Sequence, residues 1–245
     1  MDDLNSPDRI FNIRNTIQRK AFLRRFYREA YNKYLNCLGR CPKKGCLLEL
    51  GSGGGFAAEV VPELITSDIL PYEGIDCVVD AKHLPLQDNS VRLICMMNVF
   101  HHIPDAEAFL YEAQRCLITG GRLLIIDQHV GYISRLVLRY FHHEPFFPQA
   151  TEWRFESQGP LSGANGALAW LVFRRDRGLF ESKFKHLKLS RYEPHTPLGY
   201  WLSGGLHRWS LLPSPAVAAM NWFDRLLTRI SENLGSFVDI EVVKV

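Results

Sequence analysis

The chain has 245 residues, of which 47% are hydrophobic and 22% charged, and a formal net charge of +3. That size suits one α/β domain with a decorated region and a large buried core, while so small a net charge gives no ground for a nucleic-acid partner. No run of about 18 uncharged apolar residues suggests a membrane span, and the acidic, polar start is unlike a secretory signal, so a cytoplasmic protein is expected.

From Arg9 to Lys44 the chain is rich in Arg and Lys, and Glu29 is the only acid. Asn15 to Leu38 is predicted as a single helix because Phe22, Phe26, Ala30 and Tyr34 recur every four residues. Gly39 and Pro42 end it. Lys20, Arg24 and Arg28 fall on one face of this helix. Such a face reads either as a solvated lid or as a peripheral contact with an anionic membrane surface. Cys37, Cys41 and Cys46 form the only cysteine cluster, and its spacing lacks the paired ligands of a zinc site. Free thiols are expected.

Cys46 to Leu50 is a short apolar run followed at once by glycines, the pattern of a buried strand entering a tight turn. Leu64 to Ser67, Cys77 to Val79 and Val91 to Met97 are further strand candidates. Ala106 to Leu117 has helical spacing and is closed by Gly120 and Gly121, after which Leu123 to Asp127 is another apolar strand. Alternation at this spacing predicts βαβ units and a Rossmann-like, doubly wound, mostly parallel sheet with helices on both faces. Val130 to Trp209 is rich in aromatic residues, His, Pro and Gly and has weak periodicity, with one candidate strand from Phe184 to Tyr192. Val217, Met220, Phe223, Leu227 and Ile230 mark a helix, and Phe237 to Val245 alternates like a strand that pairs back into the sheet. The organisation expected is a basic helical extension (1–44), a ligand-binding core (45–130), and a lid-type region with closing strands of the same domain (131–245).

The segment Leu47-Leu-Glu-Leu-Gly-Ser-Gly-Gly-Gly-Phe56 is the chemical centre of the sequence. Gly51, Gly53 and Gly55, with Ser52 among them, let a backbone turn sharply and approach a ligand without Cβ clashes. Glu49 ends the strand, where a carboxylate can accept a hydrogen bond from a ligand ammonium or hydroxyl. Asp68 follows the next apolar run, at the distance where such folds carry a ribose-binding acid. Asp80, with Ala81 after it, ends the third run.

In these motifs the chain resembles the class I S-adenosylmethionine-dependent methyltransferases, particularly the group that includes quinone-biosynthesis and other small-molecule methyltransferases. The acid-x-Gly-x-Gly-x-Gly signature is matched by Glu49, Gly51, Gly53 and Gly55, and the acid, small residue and Leu-Pro pattern by Asp80-Ala-Lys-His-Leu-Pro85. Asn98-Val-Phe-His-His-Ile-Pro104 matches the turn after the fourth strand, and Glu112 to Asp127 the helix, Gly-Gly and strand block. The resemblance covers roughly residues 45 to 130. It implies S-adenosylmethionine as cofactor, with Glu49 at its methionine end, Asp68 at the ribose and Asp80 at the adenine amine. Gly53-x-Gly55-x-x-Ala58 also fits a loose nicotinamide fingerprint, but Glu49, the Asp80-Ala81 block and the His101-His102 turn have no place in it. A catalytically idle cofactor-binding module is the other alternative.

Methyl transfer from a sulfonium is a displacement that depends mainly on positioning. A hydroxyl acceptor also needs a base. O-methylation of a small-molecule, lipid-linked or glycan acceptor is the expected reaction, with His101, His102 or His129 as candidate bases at the strand ends. Tyr140 to Phe147 with Trp153, and Glu193 to Gly205, are candidate walls over the acceptor. His142, His143 and Glu144 are not read as metal ligands, because adjacent histidines point apart on a regular element, and no metal is expected.

Overall fold

The structure, a computed structural model, describes residues 8–142, 144–157, 159 and 163–245. Two helices come first, α1 (Asp8–Arg19) and α2 (Ala21–Leu38). The core follows as β1 (Cys46–Leu50), β2 (Leu64–Asp68), β3 (Cys77–Val78), β4 (Val91–Met97), α3 (Ala106–Cys116), β5 (Leu117–Gln128) and α4 (Tyr132–Tyr140). The remainder holds α5 (Leu168–Trp170), running on through a wider helical turn into α6 (Arg177–Lys183), then β6 (Leu187–His195), α7 (Gly199–Leu202), α8 (Val217–Ile230) and β7 (Phe237–Lys244).

The seven strands among the described residues form one sheet in the order β3-β2-β1-β4-β5-β7-β6. The first five are parallel, and β7 enters antiparallel between β5 and β6. The chain end therefore supplies an inner strand, as the alternation from Phe237 predicts. Strand order reverses between β1 and β4, and ligands of such sheets bind at that reversal, beyond the carboxyl ends of the strands.

Successive side chains of a strand face opposite ways, and the core divides accordingly. Leu48, Leu50, Ile94, Met96, Leu123 and Ile125 pack on one face with Phe109 and Leu110 of α3 and with Val172 and Phe173. Leu47, Leu93, Cys95, Leu124 and Ile126 pack on the other, beneath Phe22, Phe26, Ala30 and Tyr34 of α2. The inner strands β1, β4 and β5 are largely apolar on both sides because both faces carry helices. No described helix is long and apolar enough to cross a membrane.

Three expectations change. The helix over Asn15 to Leu38 is broken at Lys20, whose backbone is extended (φ −86°, ψ 113°). The Lys20 ammonium donates to the carbonyls of Ser203, Gly205 and Trp209, at 2.7, 2.9 and 2.6 Å. Lys20 therefore ties the N-terminal helices to the loop after α7, and the three-residue basic face reduces to the exposed Arg24 and Arg28. Second, β5 starts at Leu117 rather than Leu123, because the chain leaves α3 straight into the strand and absorbs Gly120 (φ +79°) in an irregularity against β4. Third, Trp153 is buried behind α3, and its indole N–H donates to Asp176 at 2.9 Å. It is core, not a wall over the acceptor. Trp153→Phe should cost about 1–3 kcal/mol of stability through the lost hydrogen bond, read by chemical denaturation, while affinity for a ligand of the cavity stays unchanged. A tighter or weaker ligand would place Trp153 back at the site.

Candidate active site

A cavity of about 1530 Å³ opens at the carboxyl ends of β1, β2 and β4. Single-ligand pockets occupy roughly 300–1,000 Å³, so this one has room for two ligands.

One pole is built by the turn after β1. Glu49 is buried, and the Ser52 hydroxyl donates to it at 2.7 Å. Burial pushes the Glu49 carboxyl up to about 7. Gly51 and Gly53 both take positive φ, +69° and +50°. The glycines serve different purposes. A Cβ on Gly51 would run into Val99, on Gly54 into the backbone of α1, and on Gly55 into the Tyr31 hydroxyl, whereas a Cβ on Gly53 would meet only the Gly51 carbonyl, at an ordinary 3.9 Å. Gly53 is thus the position where the backbone faces the cavity unobstructed, and the other glycines admit protein neighbours. Asp68, at the end of β2, accepts from the Gly53 N–H at 3.0 Å and the Leu70 N–H at 3.2 Å, so it holds the glycine turn while lining the cavity. The strand leading to it is short and polar in sequence, yet pairs fully with β1. Asp80 and Ala81 line the same pole, with the Asp80 carboxylate accepting from the Lys82 N–H at 2.9 Å.

Asn98 sits beyond β4 with φ +55°, and its buried Oδ1 has no hydrogen-bond partner among the described residues. An amide oxygen left so in a cavity wall is an acceptor suited to a ligand donor. A buried acid, that oxygen, an unobstructed glycine backbone and two further acids together fit a ligand with an ammonium, hydroxyls and an amino-purine. Helix α1 closes this pole from above through Ile10, Ile13 and Thr16.

The other pole gathers around the short turn after β4. His101 is buried, with Nδ1 2.6 Å from Asp127 and Nε2 3.4 Å from Glu144. His102 places Nδ1 3.1 Å from the Gly163 carbonyl and Nε2 3.6 Å from Glu144. Burial opposes charging His101, but the carboxylates of Asp127 and Glu144 outweigh it and hold the ring up to about 10. Burial and the neighbouring His101 bring His102 down to about 4. Burial would raise Glu144, yet its contacts with His101 and His102 hold it well below the usual carboxylate range. Gln128, Phe141, His142, Tyr200 and Trp201 complete the walls.

The structure thus brings Glu49, Gly51, Ser52, Gly53, Gly55, Asp68, Asp80, Ala81, Asn98, His101 and His102 to one cavity. It removes His129. Strand alternation turns that ring to the far side of β5, where Nδ1 lies 2.8 Å from the Tyr192 hydroxyl and the ring does not line the cavity. Burial brings it down to about 4. Of the two walls expected from sequence, Tyr200, Trp201, Gly204 and Gly205 line the cavity, as do Phe141, His142 and Glu144, whereas Tyr140 is exposed outside it. His143 lies outside the described residues. Sequence reading missed Glu144 as a partner of His101 and His102, because about forty residues separate them. It missed Asp127 as the group behind His101, although an acid ending an apolar strand was a usable signal. The rule that adjacent histidines point apart fails here, since His101 and His102 sit on a tight helical turn with ring centroids 4.2 Å apart.

Residues 48–125 match the family model of a methyltransferase domain. No curated protein matches the sequence. Among solved structures, the chain is similar to geranyl diphosphate C-methyltransferase from Streptomyces coelicolor A3(2), solved with Mg2+, geranyl diphosphate and S-adenosyl-L-homocysteine. Identity is 16%, the TM-score is 0.51, and the match covers 91% of this chain and 82% of that chain. It is similar also to a geranyl diphosphate methyltransferase solved with S-adenosylmethionine, at 14% identity and a TM-score of 0.52, over 100% of this chain and 92% of that chain. Likeness at such identity speaks for the fold, and the domain match speaks for the activity. Over residues 48–125 the chain carries a methyltransferase domain, set on a Rossmann-like sheet.

Proposed function

We propose that this enzyme transfers the methyl group to an oxygen of a small-molecule, lipid-linked or glycan acceptor. The observation that carries this reading is a single cavity with a glycine and carboxylate pole at one end and the His101, His102 and Glu144 cluster at the other. Bound S-adenosylmethionine supplies an electrophilic methyl on a sulfonium. Glu49 and Asn98 would accept from its methionine ammonium, Asp68 from the ribose, and Asp80 from the adenine amine. The backbone of Gly51, Ser52, Gly53, Gly55 and Ala81 shapes the seat. Helix α1 and Trp201 exclude water from the reacting centre. A hydroxyl must lose its proton as it attacks, and His102 with Glu144 receives it as a unit, since groups so close titrate together. Asp127 orients His101 and is a positioning residue. Six free thiols fit a reducing compartment, and the cytoplasm is proposed on that ground.

The test is product analysis. Acceptors found by a thermal-shift screen are incubated with methyl-labelled cofactor, and the product is read by mass spectrometry and carbon NMR. Label on oxygen is expected, and label on nitrogen or carbon overturns the acceptor assignment.

The cofactor pole carries a pH prediction. In the unliganded protein Glu49 stays protonated up to about 7, and a ligand ammonium prefers its ionised form. Affinity for S-adenosylmethionine should therefore rise as pH rises through 7, with protons released below it. Calorimetry in two buffers of different ionisation enthalpy measures that release. A flat affinity from pH 5 to 8 would remove Glu49 from the ammonium.

A further inference from the structure

The pole opposite the glycine turn has the donor set of a metal centre. His101, His102 and Glu144 each offer one ligand atom, and these atoms all lie within 4.8 Å of one another. The two Nε2 nitrogens stand 3.4 and 3.6 Å from the Glu144 carboxylate. Bonds of roughly 2.0–2.2 Å at tetrahedral angles separate two ligand atoms by about 3.4 Å, so the cluster is already near the size of a coordination shell.

The ring orientations agree. A carbonyl only accepts, so the His102 Nδ1 facing Gly163 carries the proton, and in the neutral ring Nε2 presents its lone pair to Glu144. Two acceptors facing each other across 3.6 Å favour a cation between them. Behind His101, Asp127 takes the Nδ1–H at 2.6 Å and also accepts from the His101 backbone N–H at 3.2 Å. Each histidine thus has Nδ1 fixed by an oxygen acceptor and Nε2 aimed into the cavity, which is how metal-bound imidazoles are oriented. His142 stands beside the cluster, with Nδ1 3.7 Å from Glu144.

We infer that His101, His102 and Glu144 bind one divalent first-row transition ion at the acceptor end of the cavity, with Asp127 and the Gly163 carbonyl as the groups that orient the two imidazoles. Two nitrogens and one carboxylate favour zinc, iron(II) or manganese over magnesium, which prefers an all-oxygen shell. Three protein ligands leave positions open toward the cavity. An acceptor oxygen bound there would lose its proton to solvent more readily, so in the metal-loaded enzyme the ion takes over the activating role that His102 and Glu144 fill as a base without it. That use of the ion rests on the oxygen-acceptor reading, whereas the binding site does not.

The experiment uses the full chain, stripped with chelator and titrated with Zn2+, Mn2+ or Mg2+ alone, with bound metal counted by mass spectrometry and affinity measured by calorimetry. One zinc per chain is expected, with magnesium at least tenfold weaker. Glu144→Gln and His102→Gln should each weaken zinc at least tenfold, Asp127→Asn by about tenfold to hundredfold, and the exposed His83→Gln not at all. Circular dichroism identifies any variant that fails to fold. X-ray absorption on zinc-loaded wild type, which needs no variant, should report two imidazole nitrogens. Absence of stoichiometric zinc, affinity unchanged in both ligand variants, or a sulfur-containing shell from Cys37 and Cys41 would each overturn the site. Failure to bind S-adenosylmethionine would count against the cofactor reading and leave the zinc count standing, and a nitrogen- or carbon-methylated product would count only against the acceptor.

Discussion

Gly53→Val and Glu49→Gln are each expected to lower affinity for S-adenosylmethionine by roughly ten- to hundredfold, for different reasons. Gly53 lines the cavity and is the glycine of the turn where a Cβ would meet no protein atom closer than 3.9 Å, and its φ of +50° disfavours a branched residue. Valine there occupies the ligand's space and strains the turn. Glu49→Gln keeps shape but removes the charge facing the ammonium, and a charge-assisted hydrogen bond contributes about 1.5–3 kcal/mol. The Gln variant has a second signature. Burial raises the Glu49 carboxyl from 4.5 to about 7, so the stability contributed by its protonated form is complete below 4.5 and lost as pH rises through 7. Above pH 7 the unliganded Gln variant should melt higher than wild type while binding cofactor more weakly. Calorimetric titration and thermal melts across pH 5 to 9 read both effects. Equal binding by wild type and Glu49→Gln at pH 8 would take Glu49 out of the cofactor site.

At the other pole, His102→Ala and Glu144→Ala should each reduce single-turnover methyl transfer by about 10²–10⁴-fold, the usual contribution of proton transfer by a positioned group. Cofactor affinity should stay nearly unchanged, because neither residue belongs to the glycine pole. Asp127→Asn should lower turnover less, by leaving the His101 ring without the acceptor that fixes its orientation. His129→Ala is the control, since that ring faces Tyr192 rather than the cavity. Single-turnover rates with a verified acceptor decide the matter. Should His102→Ala and Glu144→Ala both keep near-normal rates, catalysis rests on proximity alone. The losses would then be smaller and spread over wall residues such as Tyr200 and Trp201.

Residues 45 to 130 were legible because local chemistry there has local consequences. An apolar run such as Cys46 to Leu50, stopped by glycines and ending in an acid, has few other solutions than a strand, a tight turn and a polar strand end. Parallel strands covered on both faces are continuously apolar, so Val91 to Met97 declares itself. The same periodicity placed α8 at Val217–Ile230 and brought β7 back from Phe237. Glu49, Asp68, Asp80 and Asn98 could be read as strand-end residues because position along a strand determines which edge of the sheet they reach.

Pairings across long sequence separation were decided only by the tertiary structure. Nothing local interrupts the helical pattern at Lys20, where the backbone turns extended and three carbonyls of the loop after α7 converge on its ammonium. His129 looked equivalent to His101, but one step along a strand reverses the side-chain direction, and only the sheet fixes which face is the cavity. The union of His101 and His102 with Glu144 and Asp127 joins a turn after β4, a loop after α4 and the end of β5. Periodicity records which residues are buried along one element. It carries no information on which distant side chain arrives to share a proton or a charge, because that depends on the packing of elements whose own sequences are individually consistent with many arrangements.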